Sequence, residues 1–292
     1  MPHAQSIGLG LLLGILARVS MLRSDYRQYP TYPHGYASHL FLGIIAAVVG
    51  SVAVPALFER EWTAVTFLVL VAQQFREIRS LERDSLKALE ETQLVMRGSD
   101  YIESIARIFE ARYYIVIFVA ASAAFGVEYS SVATGVVLGA IAFGLGAALM
   151  RVEKLEKTVK IEIAPVNIKG TDIYVGDIFI MNVGLRESRE FILKNALGAI
   201  LSPKTETARD TLASLGQRQA ILHDISGILG VKKDLDTPEF TPIARRDIET
   251  GRVAVFMVPA EKDEKVFLEV VSRVPVLESA RGRSLRRSGR CC

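Results

Sequence analysis

Residues Ala37–Leu57, ASHLFLGIIAAVVGSVAVPAL, contain no Asp, Glu, Lys or Arg. At about 1.5 Å of rise per residue, a helix of that length crosses the ~30 Å hydrocarbon core of a bilayer. In that solvent every backbone amide must be satisfied inside the segment, which makes helix the natural conformation. A second stretch, Ser130–Met150 (SSVATGVVLGAIAFGLGAALM), has the same character. Tyr114–Val127 also spans if Arg112 and Tyr113 sit at the interface, where long and amphipathic side chains reach the headgroups. Two candidates are short: Ile7–Leu22, interrupted by Arg18, and Trp62–Phe75. The expected count is five crossings, or three if the short segments lie in the interface.

The connecting loops agree with five. FEREW carries one arginine and GVEYSS none, whereas the alternate loops hold Arg18, Arg23 and Arg27, then Arg76 to Arg112, then Arg151, Lys154, Lys157 and Lys160. Basic loops stay on the cytoplasmic side, so the expectation is a multi-pass membrane protein. Its N-terminus would lie outside and its C-terminal domain in the cytosol. The start of the chain lacks the basic and small-residue pattern of a removable signal peptide. The spans hold no Asp, Glu or Lys at mid-depth, which counts against a coupled transporter. Gly10/Gly14 and Gly135/Gly139 are GxxxG pairs; packing inside the bundle is their first reading and homo-oligomerisation the second.

Mean hydropathy is +0.28, yet the apolar runs lie almost wholly before Met150. The fold class expected is therefore mixed: an N-terminal α-helical multispan membrane bundle (1–150, with a cytosolic helical loop at 76–112), then a cytosolic α+β domain (151–280). A disordered basic tail follows (281–292). Residues 1–150 carry 11 Lys/Arg against 12 Asp/Glu and residues 151–280 carry 19 against 20, so the net +3 comes from the tail arginines. No basic face of the kind that binds nucleic acid emerges. In the second domain VKIEIAPVNI reads as a strand and DIYVGDIFIMNV as another, with Gly170 between them. LRESREFILKNALGAIL has helical spacing, and TETARDTLASLGQRQAILHDISGILG gives helices broken near Gly216. DTPEFTPIARRDIETG is a proline-punctuated loop before the strand RVAVFMV and the amphipathic DEKVFLEVVSRV. A small mixed sheet would join these strands.

Chemistry is sparse. The glycines of GLGLLLG lie inside an apolar segment, so they make no phosphate loop. The histidines are scattered, and the two cysteines, Cys291 and Cys292, end the chain; no metal site and no cofactor are expected. His223 and Asp224 are adjacent, and adjacent helical residues do not share a face. Ser202 and Lys204 flank Pro203, a pattern that is ordinary punctuation far more often than a serine–lysine pair.

Two stretches stand out. Ser24–Tyr36 (SDYRQYPTYPHGY) concentrates tyrosine and proline, with Tyr29, Tyr32 and His34 as contact candidates for a partner or the headgroup boundary. In SDYIESIARIFEARYYIVIFVA, Asp100 and Glu103 form a capping-box-like start. At 100° per residue, Tyr101, Ile102, Ile105, Ala106, Ile108, Phe109 and Tyr113 share one arc, while Glu103, Arg107 and Glu110 share the other. An arginine between two carboxylates holds both ionised, which favours a docking face over an acid–base pair. Tyr101, Ile102, Glu103, Ser104, Arg107 and Glu110 are thus the candidate partner-binding residues.

YIESIARIFEARYYIV resembles the signature of the YIEGIA family, membrane proteins of endospore-forming bacteria. Tyr101, Ile102, Glu103, Ile105 and Ala106 match it, and Ser104 replaces its glycine. The resemblance implies an integral membrane protein linked with sporulation and a small soluble capping protein as partner. The expected function is a regulatory or scaffolding module whose cytosolic face binds that partner. The alternative is a membrane-bound protease, or protease subunit, that the capping protein controls.

Overall fold

The computed structural model describes residues 3–25, 33–90, 93–149, 153–234, 237–238 and 240–281. Its contacts divide the chain into two units, 1–85 with 105–151 and 86–104 with 152–292. The second unit thus takes in a segment lying between two apolar helices, which the hydropathy break near Met150 does not foretell. Tyr29, Tyr32 and the tail beyond Arg281, with Cys291 and Cys292, lie outside the described residues.

The apolar part of the chain forms α1 (Ala4–Asp25), α2 (Pro33–Phe58), α3 (Trp62–Glu90), α4 (Ser99–Tyr129) and α5 (Val132–Leu149). Four segments, Ala4–Leu22, Ala37–Phe58, Ser99–Tyr129 and Val132–Leu149, are long and apolar enough to cross a membrane. By length and composition the expected five becomes four. Arg76, Glu77 and Arg79 end the apolar part of α3 near Phe75, leaving about 21 Å of helix, short of a bilayer core. α2 starts at Pro33, whose missing N–H costs nothing in a first turn. His34 therefore lies in a helix and not in the loop expected there.

Within the first unit the helices meet through small residues. Gly10 and Gly14 lie against Ser51, Ala47 and Ala120, and Gly135 and Gly139 against Val127, Ala123, Leu9 and Leu13. α5 buries the stripe Gly135, Gly139, Ala142 and Gly146 and turns Val136, Val137, Ile141 and Leu145 outward. Such close approach supplies dispersion contact between the helices. A core of Ala46, Ala47, Val49, Phe75, Ile78, Tyr113, Val116 and Ala120 joins α2, α3 and α4.

The second unit adds α6 (Leu155–Thr158), β1 (Val159–Ile163), β2 (Val166–Lys169), β3 (Asp172–Val175), β4 (Ile178–Asn182), α7 (Arg186–Asn195) and β5 (Leu197–Pro203). Then come α8 (Glu206–Ala213), α9 (Leu215–Leu229), β6 (Lys233–Asp234), β7 (Thr237–Pro238), β8 (Ile243–Arg246), β9 (Val253–Met257) and α10 (Glu264–Arg273). One sheet has the order β1-β5-β9-β8, another β2-β3-β4, and β6 pairs with β7. Every pairing is antiparallel, so the mixed sheet expected from the sequence is corrected.

Further readings change. VKIEIAPVNI is two strands in different sheets, because Ala164–Pro165 separates them. DIYVGDIFIMNV is a hairpin, with Gly176 at φ 61° in its turn. LRESREFILKNALGAIL is helical only to Asn195; Leu197 to Pro203 becomes a central strand, paired on both sides. Tertiary ladders override helical spacing there. Part of the expected loop before RVAVFMV is strand β8. The break between α8 and α9 falls at Ser214, whose hydroxyl accepts from Gln217 N. Ile173, Val175, Ile178, Ile180, Ile192, Ala254, Phe256 and Val258 form the core between the two larger sheets.

Candidate functional site

Residues 93–101 form a strap held along α9. Gln219 Nε2 donates to Met96 O at 2.6 Å, and His223 Nδ1 lies 2.8 Å from Val95 O. The Tyr101 hydroxyl donates to Asp224 Oδ2 at 3.2 Å, and its ring meets the His223 ring edge-on at 6.2 Å. Gly216, Gln219 and His223 recur at helical spacing on one face, and Gly216 lets Asp100 lie directly against the α9 backbone. Gly98, at φ 85°, makes the bend before α4, and its N–H donates to Glu90 Oε1 at 2.7 Å. His223 and Asp224, which the sequence sets on different faces, are thus both engaged by one segment.

A carbonyl only accepts, so His223 carries its proton on Nδ1. Burial pushes its pKa below the ordinary histidine value, which keeps the ring neutral. Burial also pushes Asp224 up to about 7, against the opposing pull of the Tyr101 hydroxyl and the Arg97 charge. A carboxyl poised near neutrality is a common mark of acid–base sites. Arg97 is 6% exposed, and its Nη1 has no hydrogen-bond partner among the described residues.

Of the residues singled out in the sequence, Tyr101 and Ile102 are buried, Glu103 and Ser104 half-buried and Arg107 exposed. Glu110 lies 3.7 Å from Arg79 and accepts from the Tyr114 hydroxyl at 3.3 Å. Tyr101 is therefore committed to its own chain. Ile105, Ala106, Phe109 and Tyr113 are fully buried, as the angular count requires.

The first unit holds a polar layer that the sequence reading missed. Arg18, His39, Glu82 and Tyr113 come from four different helices. His39 Nδ1 is 2.9 Å from the Tyr113 hydroxyl, and its Nε2 is 3.7 Å from Glu82 Oε1. Arg18 Nε donates to His39 O at 3.3 Å, and the guanidinium lies 5.1 Å from the Tyr113 ring centroid. Gly43 leaves room for the Arg18 stem, and Phe109 stacks on His39 at 4.8 Å. A lone arginine and a lone histidine in apolar helices were the available signals. A second polar group sits elsewhere in this unit, where the His3 ring lies between Glu59 and Glu128.

Ser202 and Lys204 do not form a catalytic pair. The Lys204 ammonium donates instead to Glu156 O at 2.7 Å in an exposed position. It borders an open groove of about 430 Å³ lined also by Val159, Lys160, Leu268 and Ser272.

Residues 6–287 match the family described as YIEGIA protein. The chain belongs to the YIEGIA family. It is 45% identical over 271 residues to the Uncharacterized protein YphB of Bacillus subtilis (strain 168), across 93% of this chain and 91% of that protein. No solved structure matches it significantly. The YIEGIA-like string of this member, Tyr101–Ala106, covers the end of the strap segment and the entry into the buried arc of α4.

Proposed function

We propose that this YIEGIA protein is a multi-pass, sporulation-linked membrane protein acting as a regulatory or scaffolding module. Its polar α4 face and its second unit would meet a small soluble capping protein in the cytosol. The observation that carries the reading is the division of α4 into a buried arc and a polar arc. Tyr101, Ile102 and Ile105 are buried, while Glu103 and Glu110 are half-buried and Arg107 is exposed, so the charged groups lie on the arc that a partner can reach.

We place α3 as a fifth crossing. Trp62 follows the turn that contains Glu59, Phe75 stacks on Tyr113, and Glu82 reaches His39. From Trp62 to Phe75 the apolar part of the helix rises about 21 Å, and Arg76 and Arg79 reach the headgroups along their apolar stems, which lets a locally thinned bilayer accept the short span. Large apolar side chains such as Leu16, Phe41, Phe67, Leu70, Phe118 and Ile141 are exposed, as lipid contact requires. With five crossings, the alternation of basic loops sets the N-terminus outside and the second unit in the cytosol.

Single cysteines introduced into a Cys291→Ser, Cys292→Ser background test this orientation. A membrane-impermeant maleimide is expected to label Ser131→Cys on intact cells and Gly170→Cys only after lysis. Labelling of Gly170→Cys on intact cells would reverse the topology.

The docking face is tested by co-purification with the capping protein from detergent. Glu103→Lys combined with Arg107→Glu is expected to reduce capture at least tenfold, while Lys169→Glu, on the β2–β3 hairpin of the second unit, leaves it unchanged. Full capture by the charge-reversed pair, at normal membrane levels, would reject this face.

A further inference from the structure

His3 precedes α1, and its ring lies between carboxylates from two other elements. Nδ1 is 2.7 Å from Glu128 Oε1, near the end of α4, and Nε2 is 3.0 Å from Glu59 Oε1, in the turn between α2 and α3. Ionised carboxylates only accept, so both ring nitrogens must donate, and a neutral imidazole has one N–H to give. The geometry is that of an imidazolium. The Ser6 hydroxyl, one turn into α1, also bonds Glu128, and Ile7 N donates to His3 O at 3.0 Å, which closes that turn over the histidine.

We propose that His3 is a proton-operated staple, closed as the imidazolium, that ties the start of α1 to the α2–α3 turn and to the end of α4. Glu59 and Glu128 are the charged groups that touch it; Arg60 and Glu61 share the turn with Glu59, and Tyr129 follows Glu128. Loss of one proton leaves a nitrogen lone pair facing a carboxylate, so one of the two attachments must open. Glu128 has a 14% exposed side chain and Glu59 a 61% exposed one, so the solvated Glu59 contact is the one that yields. The two hydrogen bonds hold the ring's pKa above the ordinary histidine value, against the smaller opposing effect of burial.

The sign follows from that direction. A raised histidine contributes its stabilisation at low pH and loses it as pH rises through the folded value. The staple therefore closes in acid and opens in mild alkali. On the orientation proposed above it reads the acidity outside the cell; the staple itself stands without that orientation.

Histidine-labelled full-length protein in nanodiscs tests it by NMR, with His3 assigned from the spectrum that His3→Gln lacks. The His3 ring is expected to titrate above the ordinary value and to fall back in Glu128→Gln. Exchange of the Ile7 amide, corrected for intrinsic rate, is expected to accelerate several-fold above that transition in the native chain and to stay slow in His3→Arg. A ring that titrates at or below the ordinary value would overturn the proposal. So would an Ile7 exchange profile shared by the native chain and His3→Arg. Reversed maleimide labelling, by contrast, changes only which compartment is read.

Discussion

Leucine at Gly50 is expected to destroy the folded bundle, whereas alanine at Gly8 or Gly144 leaves it intact. A Cβ built at Gly50 comes within 2.9 Å of the Ala120 Cβ and closer still to the Ile117 carbonyl oxygen. The carbonyl belongs to a neighbouring helix backbone and has no rotamer with which to move aside. Gly126 is similar, because a Cβ there meets Gly135 Cα at 2.6 Å. Nothing lies within 4 Å of a Cβ at Gly8 or Gly144. Overpacking a tight core costs about 1–3 kcal/mol, and a leucine here cannot be accommodated by rotamer changes alone. Size-exclusion chromatography after stepped heating gives the comparison. Gly50→Leu should run as aggregate without heating, and Gly50→Ala should lose its folded peak several degrees below the native chain. A native profile for Gly50→Leu would mean that α2 and α4 do not approach as described.

Gln217→Leu is the corresponding lesion in the second unit. Gln217 is fully buried in α9; its Nε2 donates to Pro275 O at 3.0 Å, and its Oε1 accepts from Leu277 N at 2.8 Å. One amide thus satisfies two backbone groups of the segment that leaves α10. Leucine fills the volume and strands both groups, at about 1–3 kcal/mol each. Hydrogen exchange at 274–281 is expected to rise by at least tenfold, with earlier cleavage there in limited proteolysis. Gln217→Glu separates hydrogen bonding from shape. Its protonated carboxyl can donate to Pro275 O and accept from Leu277 N, so protection should recover in acid and fail near neutrality. Unchanged exchange in Gln217→Leu would show that the clamp carries no stability.

The sequence carried the helical faces well and the long-range partners poorly. An angular count was enough to separate Tyr101, Ile102, Ile105, Ala106, Phe109 and Tyr113 from the polar arc, because burial on one helix is a periodic property. Leu197–Pro203 defeated the same reasoning, since its extended form comes from ladders to Val159–Ile163 and Val253–Met257 that no local window contains. The Arg18, His39, Glu82 and Tyr113 layer was equally illegible. Each residue is isolated in its own helix, and only the fold gathers them. His223 and Asp224 were visible as neighbours, yet their meaning came from Val95 and Tyr101. The expected partner contacts at Tyr29 and Tyr32 lie outside the described residues.

The strap also imposes an order of events during synthesis. Tyr101 and Asp224 are bonded across 123 residues. A ribosome adding about 5–20 residues per second delivers Asp224 roughly 6–25 s after Tyr101. Throughout that interval α5 and most of the second unit are being made, while Val95, Met96 and Tyr101 still lack their acceptors and donors. The second unit is therefore completed late, by a helix that returns to a segment already made. A fragment beginning at residue 152 would leave Gln219, His223 and Asp224 without the strap. The strap makes residues 86–104 a structural prerequisite for the rest of their own unit, which resumes only at residue 152.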